Sequence, residues 1–177
     1  ALLAPLGREV ISQAELGIAE TEEPHDTFLE NALAKARHAS RASGLPALAD
    51  DSGLCVDALG GAPGVHSAYF AGREGGREER DARNNAKLLA SLGEARKAHY
   101  RCVMALVRSA EDPEPLIAEG SWDGEIACAP RGANGFGYDP LFLVAGRGLT
   151  AAELPEEEKN RISHRARAAA RLLAALR

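Results

Sequence analysis

Between His99 and Val107 polar and apolar residues alternate, and the alternation puts Tyr100, Cys102, Met104 and Leu106 on one face. A period of two marks a half-buried β-strand, because successive side chains of an extended chain point to opposite sides. The chain also carries the other period. Phe28, Leu29, Ala32, Leu33, Ala36 and Ala39 recur at helical spacing behind Thr27-Phe28-Leu29-Glu30. That tetrapeptide fits a capping box with Thr27 at the N-cap. Gly44 is a plausible helix stop, and Pro46 prevents continuation. A sequence that switches between the two periods is neither all-helical nor all-β, and mixed α/β is the class expected.

The remaining elements follow from the same signals. Val10 and Ile11, within Arg8–Gln13, read as a short strand. Ala47-Leu48-Ala49 reads as a short buried strand ending at Asp50-Asp51-Ser52-Gly53. Gly60–Gly64 is a Gly/Pro loop. The charged run Arg73–Arg83 leads into a second helix that stops near Leu92-Gly93. Leu116–Trp122 is placed to pair with the alternating strand across the Asp112-Pro113 turn. Gly132–Tyr138 is a glycine-rich loop before the apolar run Leu141–Val144. Thr150–Glu153 is a second capping box. A helix is expected from about Glu156 to the end, with Ile162, Ala166, Ala169, Leu173 and Leu176 along one stripe. Ala1-Leu2-Leu3 reads as the end of a helix. With no initiator Met in front of it, an upstream element is expected.

Composition narrows the function classes. The chain has 177 residues, enough for one domain, or one with two lobes around a cleft. The formal net charge is -5, so nothing in the bulk attracts nucleic acid, and an anionic ligand has to be met by a local site or a cation. Cys55, Cys102 and Cys128 show no C-x-x-C spacing and read as reduced thiols. No apolar run reaches the ~18–20 residues of a membrane span, and no secretory signal opens the chain. Cytoplasmic placement is expected.

Several groups carry chemistry. Asp50-Asp51-Ser52-Gly53 offers two carboxylates beside an apolar strand, which suits Mg²⁺, a hard cation that takes one or two carboxylates and keeps its waters; the same four residues also suit a solvated turn. Glu22 and Glu23 are further carboxylates for the same metal. Asn31 and Lys35 share a helix face, with Lys35 in reach of a phosphate or of the carboxylates. Phe136, in Gly135-Phe136-Gly137-Tyr138-Asp139, offers a face for stacking on a base, a contact of roughly 1–3 kcal/mol. Lys159 and the Ser163-His164-Arg165 block form a basic cluster in an acidic chain, with donors for phosphate or carbonyl groups. There is no Walker-type phosphate loop, and no Ser/His/Asp or Cys/His nucleophile set stands out.

Together these blocks resemble the inosine/xanthosine triphosphate pyrophosphatases, a family acting on non-standard purine nucleotides. The matching stretches are Thr27-Phe28-x-Glu30-Asn31-Ala32-x-x-Lys35-Ala36, Ala49-Asp50-Asp51-Ser52-Gly53-Leu54, Leu59-Gly60-Gly61-x-Pro63-Gly64-Val65-x-Ser67-Ala68, Gly135-Phe136-Gly137-Tyr138-Asp139-Pro140, Thr150-x-Ala152-Glu153-Leu154 and Glu158-Lys159-x-x-Ile162-Ser163-His164-Arg165. Their order and spacing match over nearly the whole chain. The resemblance implies a single domain over residues 1–177, built on an elongated mixed sheet flanked by helices, with two lobes around the active-site cleft. It implies hydrolysis of ITP, dITP or XTP to the monophosphate and pyrophosphate with Mg²⁺, in a homodimer. It assigns Asp51 as general base and metal ligand, with Glu22 as the second metal carboxylate. Ser52, Phe136, Gly137, Tyr138, Asp139 and Lys159 become substrate contacts, and His164 and Arg165 the readers of the 6-oxo edge of the purine; Asn31 and Lys35 are expected as substrate contacts with them. Family members begin with a strand and a Thr-x-Asn-x-x-Lys phosphate loop, and this sequence starts after that loop's place; Pro24-His25 also stands where the family has Thr-Gly. Two alternatives remain. One is a Maf-type pyrophosphatase for modified pyrimidine nucleotides, against which the Ser163–Arg165 and Phe136–Asp139 blocks speak. The other is a non-catalytic nucleotide-binding module.

Overall fold

The computed structural model describes residues 9–176. The helix end expected at Ala1–Leu3 lies outside them. Val10 and Ile11 form no strand; both are exposed, with no neighbouring strand to pair with among the described residues.

The elements are helix α1 (Phe28–Ser43), strand β1 (Ala47–Val56), helix α2 (Arg77–Ala90), strands β2 (Lys97–Val107), β3 (Leu116–Ile126) and β4 (Phe142–Val144), and helices α3 (Glu156–Ile162) and α4 (His164–Ala175). The strands form one antiparallel sheet in the order β1-β2-β3-β4. Gly124 stands opposite Val144 and Ile126 opposite Phe142 in the β3–β4 pair. The fold is mixed α/β.

Two compact units divide the described residues. One takes those within Ala1–Asp51, Cys102–Gly120 and His164–Arg177; the other takes Ser52–Arg101 and Ser121–Ser163.

In the first unit, α1 begins as its capping box directs. The Thr27 hydroxyl accepts from the Glu30 N–H at 3.2 Å and donates to the Glu30 carboxylate at 2.6 Å. Gly44 ends the helix in the left-handed region at φ 71°, its N–H returning to the Ser40 carbonyl. The face carrying Ala32 and Ala36 packs on Val103, Ala105 and Val107 of β2. On a second core, Ala168, Ala169 and Leu172 of α4 meet Cys102, Met104 and Ala118. Gly120 sits beneath the start of α4, where a Cβ would run into the His164 carbonyl and the Ala168 backbone nitrogen.

In the second unit, Tyr100, Trp122 and Phe142 form an aromatic cluster, with Phe142 4.7 Å from Tyr100 and 5.3 Å from Trp122 between ring centroids. Leu88 of α2 joins the same core with Leu54, Val56, Ile126, Leu141 and Leu154.

Two expectations are corrected. The strand expected to stop at Asp50 runs on to Val56, because Leu54, Cys55 and Val56 supply three more buried apolar residues. Asp50 and Asp51 therefore lie inside a strand rather than at its end. The single C-terminal helix is two helices: Ser163 adopts an extended ψ of 165° between α3 and α4. Serine side chains compete for backbone hydrogen bonds, which favours such breaks.

Candidate functional site

In the first unit the acidic segment before α1 is drawn onto β1. Lys35, two turns into α1, places its ammonium 2.8 Å from Glu23 Oε1 and 2.9 Å from Asp51 Oδ1. Asp51 is only 6% exposed. Burial raises its pKa above the ordinary carboxylate value, with Lys35 opposing the shift and Glu23 adding to it. Burial also works against the Lys35 charge, but its bonds to Glu23 and Asp51 prevail and hold its pKa above the usual lysine value.

Asn31 is buried beside this pair. Its side-chain N–H₂ donates to the His25 carbonyl at 3.1 Å and to Asp51 Oδ2 at 3.3 Å, and its Oδ1 accepts from the His25 N–H at 3.1 Å. Expected as a substrate contact, Asn31 is instead committed to protein groups: it ties the acidic segment to α1 and steadies Asp51. Glu22, expected as the second metal carboxylate, is exposed, and Glu23 takes the place beside Lys35 and Asp51. The arrangement is two carboxylates flanking one cation, from an element with hard oxygen donors on both sides. That donor chemistry fits a divalent metal. Among the described residues no group of three or more His, Cys, Asp or Glu that could hold a metal ion is present, so a divalent cation beside Asp51 and Glu23 would need further oxygen ligands such as waters. A cavity of ≈ 350 Å³ opens beside Lys35 and Glu23, lined also by Gln13, Ile18, Glu20 and Thr21.

Asp50, the other carboxylate of the pair, accepts from Arg165 Nε at 3.1 Å. The guanidinium at the first turn of α4 is thus oriented by β1. His164 beside it is 4% exposed. Ser52 follows Asp51 along β1 and is half-buried.

In the second unit the glycine-rich loop is built around Asp139. This buried carboxylate accepts from the Phe136 N–H at 2.8 Å and from the Lys159 ammonium of α3. Gly135 and Gly137, on either side of Phe136, both have positive φ, at 76° and 64°, a region open to glycine at little cost. At Gly135 a Cβ would strike the Asp139 carboxylate. Phe136 is 50% exposed, with the Arg77 guanidinium 4.5 Å and the Lys159 ammonium 5.1 Å from its centroid. An aromatic face is thus presented between two cations. Tyr138, expected at the base, turns the other way. Its ring is buried in the core and its O–H donates to the Ser67 carbonyl at 2.9 Å; burial pushes its pKa up.

Sequence reasoning named Glu23 beside Glu22 but gave the metal role to Glu22, and it missed Asp50 as the partner of Arg165, and Asp81 and Asn85 of α2, which bind Gly137. The last two carried a usable signal. Arg77, Asp81 and Asn85 recur every four residues in the charged run and share one helix face.

The described residues contain no helix long and apolar enough to cross a membrane. The chain is 64% identical over 179 residues to a dITP/XTP pyrophosphatase of Ralstonia nicotianae, a match covering 100% of this chain and 89% of that protein. It is 63% identical to the dITP/XTP pyrophosphatase of Burkholderia pseudomallei, covering 99% and 85%. Among solved structures, a Ham1 protein of Coxiella burnetii superposes with a TM-score of 0.91 at 49% identity, covering 99% of this chain and 89% of that one. The Ham1 protein of Staphylococcus aureus gives 0.83 at 40% identity, covering 93% and 83%. The Ham1 family model matches residues 1–175, and the chain belongs to the Ham1 family.

Proposed function

We propose that this chain hydrolyses non-standard purine nucleoside triphosphates such as dITP, XTP and ITP to the monophosphate and pyrophosphate. The observation that carries the reading is the buried Asp51 carboxylate, bonded to Lys35 beside Glu23. In this reading a water oxygen bonds to the α-phosphorus, the bond to the α,β-bridging oxygen breaks, and pyrophosphate leaves. The water's proton passes to Asp51, whose carboxylate is held in place by the Lys35 ammonium and the Asn31 amide. Asn31 and Lys35 orient that carboxylate. Asp51 and Glu23 would hold Mg²⁺, which would offset charge on the phosphate oxygens; Glu23 takes this role from Glu22 because its carboxylate lies 2.8 Å from the Lys35 ammonium beside Asp51. Lys159 supplies a cation to the substrate, and Phe136 a stacking face for the base.

Selectivity rests on Arg165 and His164 as donors to a 6-oxo group. Adenine has an amino group there and would leave a donor unpaired, at a cost of about 1–3 kcal/mol. The protein is read as a cytoplasmic homodimer.

The test is pyrophosphate release with Mg²⁺ across dITP, XTP, ATP, dUTP and dTTP, for the wild type and Asp51→Asn. Rapid release from dITP and XTP, lost in Asp51→Asn with the melting temperature kept, is expected. Preference for dUTP or dTTP would transfer the chain to the pyrimidine-acting class. Wild-type turnover in Asp51→Asn would remove Asp51 from the chemistry.

A further inference from the structure

Phe136 presents its ring to solvent between two left-handed glycines, and its own N–H and carbonyl are bonded to the Asp139 carboxylate and N–H. Helix α2 adds a second set of bonds, to Gly137. Asp81 Oδ2 accepts from the Gly137 N–H at 2.8 Å, and Asn85 Nδ2 donates to the Gly137 carbonyl at 2.8 Å. One group belongs to the peptide shared with Phe136 and the other to the peptide shared with Tyr138, so both peptide planes flanking Gly137 are held. One turn before Asp81, the Arg77 guanidinium lies over the Phe136 ring. These three residues are spaced i, i+4, i+8, a single stripe of one helix.

Asn85 shows that the grip has a direction. It also donates to the Asp81 carbonyl at 2.8 Å, while its Oδ1 is buried with no hydrogen-bond partner among the described residues. Turning the amide over would set that oxygen against two carbonyl oxygens. The donor orientation is therefore imposed by the loop, although it leaves an acceptor unsatisfied.

We propose that Asp81 and Asn85, aided by Arg77, are positioning residues for the substrate base: the α2 stripe sets the angle at which Phe136 meets it. This rests on the reading of the Phe136 loop as the base platform. None of the three is assigned to the chemistry, so their loss acts on binding of the nucleoside end. Two nearly isosteric changes isolate the clamp. Asn85→Asp puts an acceptor where a donor is needed; Asp81→Asn keeps an acceptor for the Gly137 N–H.

The experiment is steady-state pyrophosphate release from dITP for Asn85→Asp, Asp81→Ala, Asp81→Asn and Phe136→Ala, and for Asp81→Ala combined with Phe136→Ala. Asn85→Asp and Asp81→Ala are expected to raise KM roughly tenfold, the scale of one lost base-stacking contact, with kcat within about twofold. Asp81→Asn should stay within about twofold of the wild type in KM. In the Phe136→Ala background, Asp81→Ala should add less than about twofold, since the ring it orients is gone. The clamp alone is overturned if Phe136→Ala raises KM while Asn85→Asp and Asp81→Ala do not, or if the effects of Asp81→Ala and Phe136→Ala multiply in full. An unchanged KM in Phe136→Ala overturns the base-platform reading itself, and the clamp with it.

Discussion

Replacing Lys35 by Met keeps the length of the side chain and removes its charge. In the wild type the ammonium lies within 2.9 Å of Asp51 and 2.8 Å of Glu23. After the substitution Asp51 keeps the Asn31 amide as a donor at 3.3 Å and faces Glu23 with no charge between. Removing one partner of a fully buried pair costs about 3–5 kcal/mol. The Lys35 and Glu23 side chains are 21% and 35% exposed, so solvent takes up part of the loss and about 2–3 kcal/mol remains. At roughly 2–4 °C per kcal/mol for a chain of this size, the melting temperature should fall by about 5–10 °C. Millimolar Mg²⁺ should recover part of that fall, because a cation bound by the folded state alone stabilises it by mass action. Turnover of dITP should drop by about 10²-fold through misplacement of Asp51. Scanning calorimetry with Mg²⁺ and with EDTA, alongside pyrophosphate release, reads all three. A melting temperature within about 1 °C of wild type would refute the energetic argument. A loss that Mg²⁺ leaves untouched would refute the claim that these carboxylates hold a cation.

Phe142→Ala removes the ring shared by Tyr100 and Trp122 and should cost about 3–5 kcal/mol in urea unfolding; less than about 1 kcal/mol would mean the site collapses without loss. Asp112→Asn tests linkage. The Arg108 guanidinium and the Arg108 and Glu114 N–H groups hold the Asp112 carboxyl well below the usual range. Its contribution is present above the unfolded value of ~3.9 and fades as pH falls below that. The variant should therefore melt lower than wild type at pH 7, with the gap closing in acid; a gap that is constant with pH would exclude the carboxylate charge as its source. Arg165→Ala should weaken KM for ITP at least about fivefold more than for ATP, one lost hydrogen bond's worth, and equal losses would mean that Arg165 does not sense the base.

Local signals were the most legible part of the chain. Thr27 and Glu30 announce the start of α1, Gly44 its end, and the alternation of Tyr100, Cys102 and Met104 the strand β2, because each depends on neighbours within a few residues. The extent of β1 was not legible. Asp50-Asp51-Ser52-Gly53 has the composition of a turn, and it is the burial of Leu54 to Val56 by distant residues that keeps it extended. The break at Ser163 is likewise invisible to a stripe argument, since Ile162, Ala166 and Ala169 keep helical spacing across it. Within the site, the carboxylate pair and the Phe136 loop were legible as residue types, whereas the choice of Glu23 over Glu22 depends on where the Lys35 stem ends. Tyr138 and Phe136 look alike in sequence, and only the fold sends one ring into the core and the other to solvent. Asp81 and Asn85 act on the backbone of a distant glycine, and such bonds leave no mark on the partner's identity.

Gly120 shows how activity data can mislead. The backbone at the start of α4 occupies the space a methyl group would need, so Gly120→Ala displaces the turn carrying Arg165 without altering any group that touches a nucleotide. A screen scoring turnover alone would rank this position with the reacting residues. Comparing residual rate with fold integrity would instead sort it among those that merely leave room.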